Sequence, residues 1–320
     1  MSETKTSWYF IVNPRAGSGK TMSEWVPAER LLEAEGIPFV TAMTDHKKHA
    51  ITLAREAAAE GYRRIAAVGG DGSLHEVLGG ICSWCEETGT PPEDFYLAVI
   101  PIGSGNDWIK SCHVPDNVKE ALALLMDGSF GWMDIIRGVS DGGKVHYMAN
   151  CAGIGFDSHV CDMVNHQKER GMRGKMIYLN ALRYTIFHLK PISVLVREDG
   201  ENVFSGEIFS LAAGNGPYSG GGMRQVPLAV NDDGMLDYMI VPKARLGSLV
   251  KEIPRLFAGT THESSIIRSG HCQTLEIAPL NEASADLIEY DGELEGRLPL
   301  ILEVSAHRIH VLKGKTKEKD

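Results

Sequence analysis

The sequence predicts an α/β domain built on a parallel sheet, followed by a β-rich domain of antiparallel, sandwich-like character. Three observations in the 320-residue chain carry this expectation. Short apolar strands alternate with helix-length segments as far as about Trp132, the pattern of βαβ units with right-handed crossovers. Beyond Trp132, strand-like runs succeed one another without a helix between each. Three of the early strands run directly into glycine-rich turns, at the strand ends where open α/β sheets bind ligands.

In the first domain, strands are expected near residues 8–13, 38–43, 64–68 and 96–101, and helices over 22–34, 48–61 and 74–86. Gly89, Pro91 and Pro92 mark a loop. Pro115-Asp116 opens a further helix over 117–126, which Asp127-Gly128 stops. In the second domain, 133–139, 145–151, 192–197, 203–213, 236–241, 274–279, 287–290, 300–304 and 308–312 read as strands. Helical patterns interrupt them over 175–189 and 245–257. The boundary is placed between residues 132 and 133, giving domains 1–132 and 133–320, and the tail after Lys313 is expected to fray.

A net charge of −10 argues against nucleic acid as the main partner. No apolar run reaches the length of a membrane span and no signal peptide opens the chain, so a cytoplasmic location is expected. Six scattered cysteines fit a reducing compartment. Cys82-Ser83-Trp84-Cys85 lacks a second pair of ligands at zinc spacing and reads as structural.

The turn Val68-Gly69-Gly70-Asp71-Gly72-Ser73-Leu74-His75-Glu76 organises the chain. Its glycines admit positive φ and close backbone approach. The helix it opens offers free N–H groups and a positive dipole end, which suit a phosphate. Asp71 repels a bare phosphate and needs a reason: a Mg²⁺ ion, a ribose hydroxyl, or a simple capping role. Asn13-Pro14-Arg15-Ala16-Gly17-Ser18-Gly19-Lys20 and Pro101-Ile102-Gly103-Ser104-Gly105-Asn106-Asp107 are two further turns of the same kind. Three turns at the ends of strands of one sheet converge on one crevice. Asp71 and Asp107 then stand where two carboxylates hold Mg²⁺ beside a triphosphate, unless both are helix caps. The first turn lacks the P-loop spacing. Lys20 either reaches a phosphate or is a solvated first-turn lysine.

Asn231-Asp232-Asp233-Gly234 resembles a calcium loop at a glance, but no Glu stands at the twelfth position and no flanking helices are evident. A plain Asp-Gly turn accounts for it equally. Lys168, Arg170, Arg173, Lys175, Arg183 and Lys190 face only Glu169 over residues 168–190, among Met176, Ile177, Leu179, Leu182, Ile186, Phe187 and Leu189. Such a stretch either lies on an anionic membrane surface or packs on the second domain with a solvated basic face.

These motifs, in this order and spacing, resemble the diacylglycerol kinase catalytic family, which includes sphingosine and ceramide kinases and compact bacterial lipid kinases. Asn150-Cys151-Ala152-Gly153-Ile154-Gly155-Phe156, the glycine-rich run from Gly214 to Met223, the run from Asn231 to Asp237, and Asp291-Gly292-Glu293 agree with it. The resemblance runs from about Tyr9 to Leu312. Ser73 and Ser104 stand where the family usually has Thr, and His75 where it has Asn.

The resemblance implies a NAD kinase/diacylglycerol kinase-like fold, with a nucleotide-binding first domain, a lipid-substrate and metal-binding second domain, and the active site in the cleft between them. The last strands of such proteins can lean back on the first domain. It implies an ATP-dependent lipid kinase that uses Mg²⁺ to transfer the γ-phosphate to the primary hydroxyl of a membrane lipid such as diacylglycerol. ATP is assigned to Asn13, Pro14, Arg15, Ala16, Gly17, Thr44, Gly70, Asp71, Gly72, Ser73, Leu74, His75, Glu76, Ser104 and Asp107. A structural Mg²⁺ or Ca²⁺ is assigned to the Asp233 carboxylate and the backbone carbonyls of Val230 and Met235. Glu293 is the base that takes the acceptor proton, with Asp291 as helper or metal contact and Asp71 as the third catalytic carboxylate. The implied partners are a membrane lipid substrate and the membrane surface, met peripherally, with no nucleic acid and a homodimer left open. NAD kinase is the nearest rival, but its Thr-Pro-Thr-Gly-Ser-Thr stretch is replaced here by the run from Gly214 to Gly222. A non-catalytic lipid- or nucleotide-binding regulator is the other rival, and intact Asp71, Asp107 and Glu293 speak against it.

Overall fold

A computed structural model describes residues 4–315 apart from Ser104, Gly171, Arg173, Gly174 and Leu189. The chain divides into two compact units: residues up to Ile135 together with those from Ala306 onward, and Ile136–Ser305.

The first unit runs β1 (Lys5–Val12), α1 (Thr21–Ala34), β2 (Phe39–Met43), α2 (His49–Ala59), β3 (Tyr62–Gly69), α3 (Asp71–Thr88), β4 (Tyr96–Pro101), α4 (Trp108–Ser111) and α5 (Val118–Met126). Its strands pair in parallel in the order β2-β1-β3-β4. Phe10, Ile11, Val12, Ile65, Val68, Leu97 and Ile100 are buried, as strands covered on both faces require. On α3, Leu74, Val77, Leu78 and Ile81 repeat at helical spacing and are buried. A Cβ on Gly80 would lie 2.5 Å from the Ile51 carbonyl oxygen, so glycine is what lets α2 and α3 pack closely. Cys82 and Cys85 are buried on the same helix, and burial holds the Cys85 thiol up at about 12, far from a reactive thiolate. Asn117 caps α5, its Oδ1 accepting from the Glu120 N–H at 3.1 Å.

The chain continues through β5 (Phe130–Ser140), β6 (Lys144–Met148), β7 (Cys151–Gly155), α6 (Phe156–Glu169), α7 (Lys175–His188), β8 (Ile192–Glu198), β9 (Glu201–Gly214), β10 (Tyr218–Ser219), β11 (Met223–Arg224), β12 (Leu236–Pro242), α8 (Leu246–Ala258), β13 (Arg268–Cys272), β14 (Thr274–Pro279), β15 (Leu287–Tyr290), β16 (Glu293–Arg297) and β17 (Leu300–Leu312). In the second unit the antiparallel order is β16-β15-β7-β9-β8-β14, with the start of β17 beyond β14 and β12 pairing with both β9 and β13. Val194, Val196, Ile208, Leu211, Ile240, Leu275, Ile277 and Ile288 form its core. The end of β17 belongs to the first unit, where His310 and Val311 pair in parallel with Tyr96 and Leu97 of β4.

Residues 145–151 divide into two strands at Ala149-Asn150, because the N–H groups there bond to Asp291 rather than to a neighbouring strand. The runs 300–304 and 308–312 are one continuous strand. α6, β13 and β16 have no counterpart in the expected pattern. α6 is largely polar on its surface, and β16 reads Glu-Leu-Glu-Gly-Arg, so neither displays a clear apolar period.

Candidate functional site

Within the first unit the three glycine turns meet at the carboxyl ends of β1, β3 and β4. The Asn13 N–H donates to the Val68 carbonyl at 3.0 Å and the Ile102 N–H to the Gly69 carbonyl at 2.9 Å. Asn13 Nδ2 donates to Ser73 Oγ at 3.4 Å, while its Oδ1 accepts from the Arg15 N–H at 3.0 Å. A Cβ on Gly103 would sit 2.7 Å from Gly70 Cα, and one on Gly70 would sit 3.1 Å from the Gly105 carbonyl oxygen. The second and third turns therefore touch backbone to backbone, an approach that only glycine permits.

Gly70 is the N-cap of α3 and has no side chain with which to cap it, while the Asp71 N–H reaches the Gly105 carbonyl at 3.5 Å. The amide dipole end of the helix faces the turn, as a phosphate site requires. Asp71, in the first helical turn, reaches across to the third loop. One carboxylate oxygen accepts from the Asp107 N–H at 2.9 Å and the other from the Trp108 N–H at 3.1 Å. Asp107 is buried and accepts from Lys110 Nζ at 2.6 Å. Thus Asp71 and Asp107 are brought together, with a lysine cation beside them that sequence reasoning did not single out. Both Asp71 oxygens thereby cap the start of α4, and the Asp107 carboxylate is paired with Lys110.

The other assigned nucleotide residues divide by role. Arg15 is exposed, Pro14, Ala16 and Gly17 are half-buried in the first turn, and Gly72 follows Asp71. Thr44 is half-buried at the end of β2, its N–H bonded to the Val12 carbonyl at 2.9 Å. Leu74 and His75 are buried, so their side chains serve packing and their backbone is the part that faces the turn. The Glu76 carboxylate accepts from the N–H groups of Lys48 and Ala50 at 3.0 and 3.2 Å. It caps α2 and holds the loop that follows Thr44. Ser104 lies outside the described residues.

In the second unit the Asp291 carboxylate accepts three backbone N–H groups, from Ala149 at 3.0 Å, Asn150 at 2.9 Å and Cys151 at 3.0 Å. The side chain is buried and its residue has φ 50°. This is a positioning role: Asp291 fixes the start of β7 against the turn that carries Glu293, the first residue of β16. Glu289 accepts from the Gly292 N–H, and burial pushes its carboxyl well above the ordinary range, with the charges of Asp157, Asp291 and Glu293 adding to the effect. Asp157 accepts from Ser210 Oγ at 2.6 Å and from Gln225, and burial raises its carboxyl despite those bonds. A Cβ on Gly153 would lie 2.6 Å from Asp157 Cβ and 3.1 Å from Glu289 Oε2, so this glycine makes the room they share. Sequence reasoning missed both. Asp157 directly follows the Asn150–Phe156 motif, and Glu289 lies near the end of β15, two residues before Asp291 in the turn.

In the turn before β12, Asp233 Oδ1 accepts from the Met235 N–H at 3.0 Å. The Asp237 carboxyl is raised by burial first and by the charge of Asp233 second. The Asp233 carboxylate and the carbonyls of Val230 and Met235 remain assigned to a cation by resemblance alone. Chelation is expected to lower the Tm of the wild type towards that of Asp233→Ala, because an ion held at a hundredfold over its Kd stabilises by about 2.7 kcal/mol. If a chelator moves neither Tm nor activity, the segment is an ordinary aspartate turn. A cluster of Asp45, His46 and the half-buried His49 stands at the start of α2, where the helix dipole opposes a cation.

Residues 7–137 match the model of the diacylglycerol kinase catalytic domain, and residues 150–313 match that of the YegS C-terminal NAD kinase beta sandwich-like domain. The chain is 29% identical to a probable lipid kinase YegS-like of Xanthomonas campestris pv. campestris over 95% of each chain. It is 32% identical to a namesake of Xanthomonas axonopodis pv. citri over 76% of this chain and 78% of that one. A diacylglycerol kinase of Mycobacterium tuberculosis is 27% identical over 92% of this chain and 91% of its own. A crystal structure of a diacylglycerol kinase from Bacillus anthracis str. Sterne shares the fold, with a TM-score of 0.69 at 22% identity over 98% of each chain. With its two halves matching these two domain models in order, and with a relative above 30% identity over three quarters of its length, the chain belongs to the YegS-like diacylglycerol kinase family of lipid kinases.

Proposed function

We propose that this lipid kinase uses Mg²⁺ and ATP to phosphorylate the primary hydroxyl of a membrane lipid, with diacylglycerol, the substrate named for one relative, as the first candidate. The observation that carries the reading is the meeting of three glycine turns at the glycine N-cap of α3, beside Asp71 and Asp107. Backbone N–H groups and a helix dipole favour phosphate oxygens there, and Asp71 and Asp107 would supply oxygen donors of the kind Mg²⁺ prefers. When bound, Mg²⁺ would offset the charge of the phosphates. Phosphoryl transfer asks a protein mainly for positioning and charge, which these turns supply. Glu293 takes the acceptor proton, held at the head of β16 by the bonds that Asp291 makes behind it. A lipid acceptor implies work at the cytoplasmic membrane surface, and among the described residues no helix is long and apolar enough to cross a membrane.

The test is a panel of lipid alcohols in mixed micelles with labelled ATP and Mg²⁺, resolved by chromatography. Label is expected in a phospholipid and absent from NAD. Transfer to a water-soluble acceptor with none to any lipid alcohol would overturn the reading.

A further inference from the structure

α8 is a surface helix whose apolar face is only partly covered by the protein. Its 13 residues include none that is buried. The side it lays on the protein is Leu249, Ile253 and Leu256, all half-buried, and Leu256 packs on Ala212, Met239 and Ile267. The adjoining edge of the same apolar face carries Leu246, Val250, Pro254 and Phe257. At about 100° per residue these four fall within about 80° of one another. They are all exposed, Leu246 by 41%, Val250 by 45% and Phe257 by 57%. A helix packed for water alone would carry polar residues along that edge.

The charges on the helix and at its start are mostly basic. Lys243, Arg245, Lys251 and Arg255 stand against Glu252 in a chain whose net charge is −10. Lys243 is paired with Glu207, and Arg255 with Glu252 and Glu263. Arg245 and Lys251 are exposed and have no ion pair among the described residues. An apolar face with an aromatic residue, flanked by unpaired basic groups, is the composition of a helix that lies in the interface of an anionic bilayer. α7 differs: Ile177, Ala181 and Thr185 bury one of its sides, and its exposed side mixes Asn180, Arg183, Tyr184 and Phe187.

We infer that α8 is the membrane-docking element of this protein. It inserts Leu246, Val250, Pro254 and Phe257 among the acyl chains of an anionic lipid surface, with Arg245 and Lys251 at the headgroups. The inference rests on the proposed lipid substrate and adds the face by which the protein meets it.

The test compares wild type with the triple variant Leu246→Gln, Val250→Gln, Phe257→Gln. The three side chains are exposed, so the fold should persist. Binding is measured by co-sedimentation with vesicles of phosphatidylcholine alone or mixed with phosphatidylglycerol. Wild type is expected to bind the mixed vesicles, more weakly as salt rises, and the triple variant to bind at least about tenfold less. In a second arm, Phe257→Trp is expected to blue-shift its emission on meeting the mixed vesicles and to be quenched by brominated acyl chains. A third arm measures phosphorylation of a short-chain lipid alcohol dispersed in detergent, where docking is not needed. Equal rates there with lost vesicle binding support the inference. Equal rates with unchanged vesicle binding overturn it while leaving the lipid kinase reading intact, as does binding lost only on replacing Tyr184 and Phe187 of α7. A wild type that sediments as a dimer, a triple variant that is monomeric, and vesicle binding equal in both would assign the face to a second copy of the chain instead. No lipid phosphorylated by wild type under any condition defeats the underlying reading, a result separable from the other arms.

Discussion

Replacing Asp71 by Asn is expected to lower turnover by about 10²–10³-fold, the range seen when one preorganised electrostatic group is lost from a catalytic site. The carboxylate stands at the α3 end of the meeting turns, and it also holds two N–H groups of the third turn. Asn keeps one oxygen acceptor but points an NH₂ group at the second N–H. A stability loss of about 1–3 kcal/mol is therefore expected beside the loss of rate. Two measurements separate the roles. If Asp71 helps to hold Mg²⁺, the Mg²⁺ concentration for half-maximal rate rises in the variant. If Tm falls while the Mg²⁺ dependence stays that of wild type, Asp71 acts as a tether between turns and the metal assignment fails. Near-normal turnover would defeat both roles.

The second large effect separates Asp291 from Glu293. Asp291→Ala leaves the N–H groups of Ala149, Asn150 and Cys151 without their acceptor in a buried place. A loss on the order of 3–5 kcal/mol is expected, since each unsatisfied buried donor costs roughly 1–3 kcal/mol and some relaxation offsets the sum. For a chain of this size that lowers Tm by roughly 10 °C, at about 2–4 °C per kcal/mol. Glu293→Gln should cost less than Asp291→Ala, on the order of 1 kcal/mol, since it keeps the shape of the side chain and holds none of those three N–H groups. Its rate should nevertheless fall by about 10²–10⁴-fold, the contribution of a general base. Nucleotide binding, measured separately, should stay near that of wild type. If Glu293→Gln keeps full lipid kinase activity while a folded Asp291→Asn variant is inactive, the base is Asp291.

The roles of the two residues differ in how far they were legible. Asp291-Gly292-Glu293 stands out as a tripeptide, but the partners of Asp291 lie about 140 residues earlier in the chain. No local pattern encodes a bond of that span. Glu76 poses the same problem on a smaller scale. Its place in the glycine turn motif suggests the nucleotide, and only the packing of α3 on α2 turns its carboxylate towards the N–H groups of Lys48 and Ala50. Leu74 and His75 share the motif and face the core, because a helix that begins at a ligand must still bury one stripe of its surface.

By itself the sequence determined the alternation of strand and helix in the first unit, the three glycine turns with Asp71 and Asp107, and the antiparallel character of the second unit. These follow from signals that act within a few residues: apolar period, glycine conformational freedom, and caps such as Asn117. The tertiary structure decided what those signals cannot reach. It placed α6 and β16, whose polar sequences are held by neighbours rather than by their own period, and it returned the end of β17 to β4 of the first unit. It set Asp157 and Glu289 beside the Asp291 turn by opening space over Gly153. It also decided which side of α8 is covered. The sequence shows an apolar face wide enough for two contacts, and only the packing of Leu256 on Ala212, Met239 and Ile267 reveals that the protein uses one edge of it and leaves the other outside.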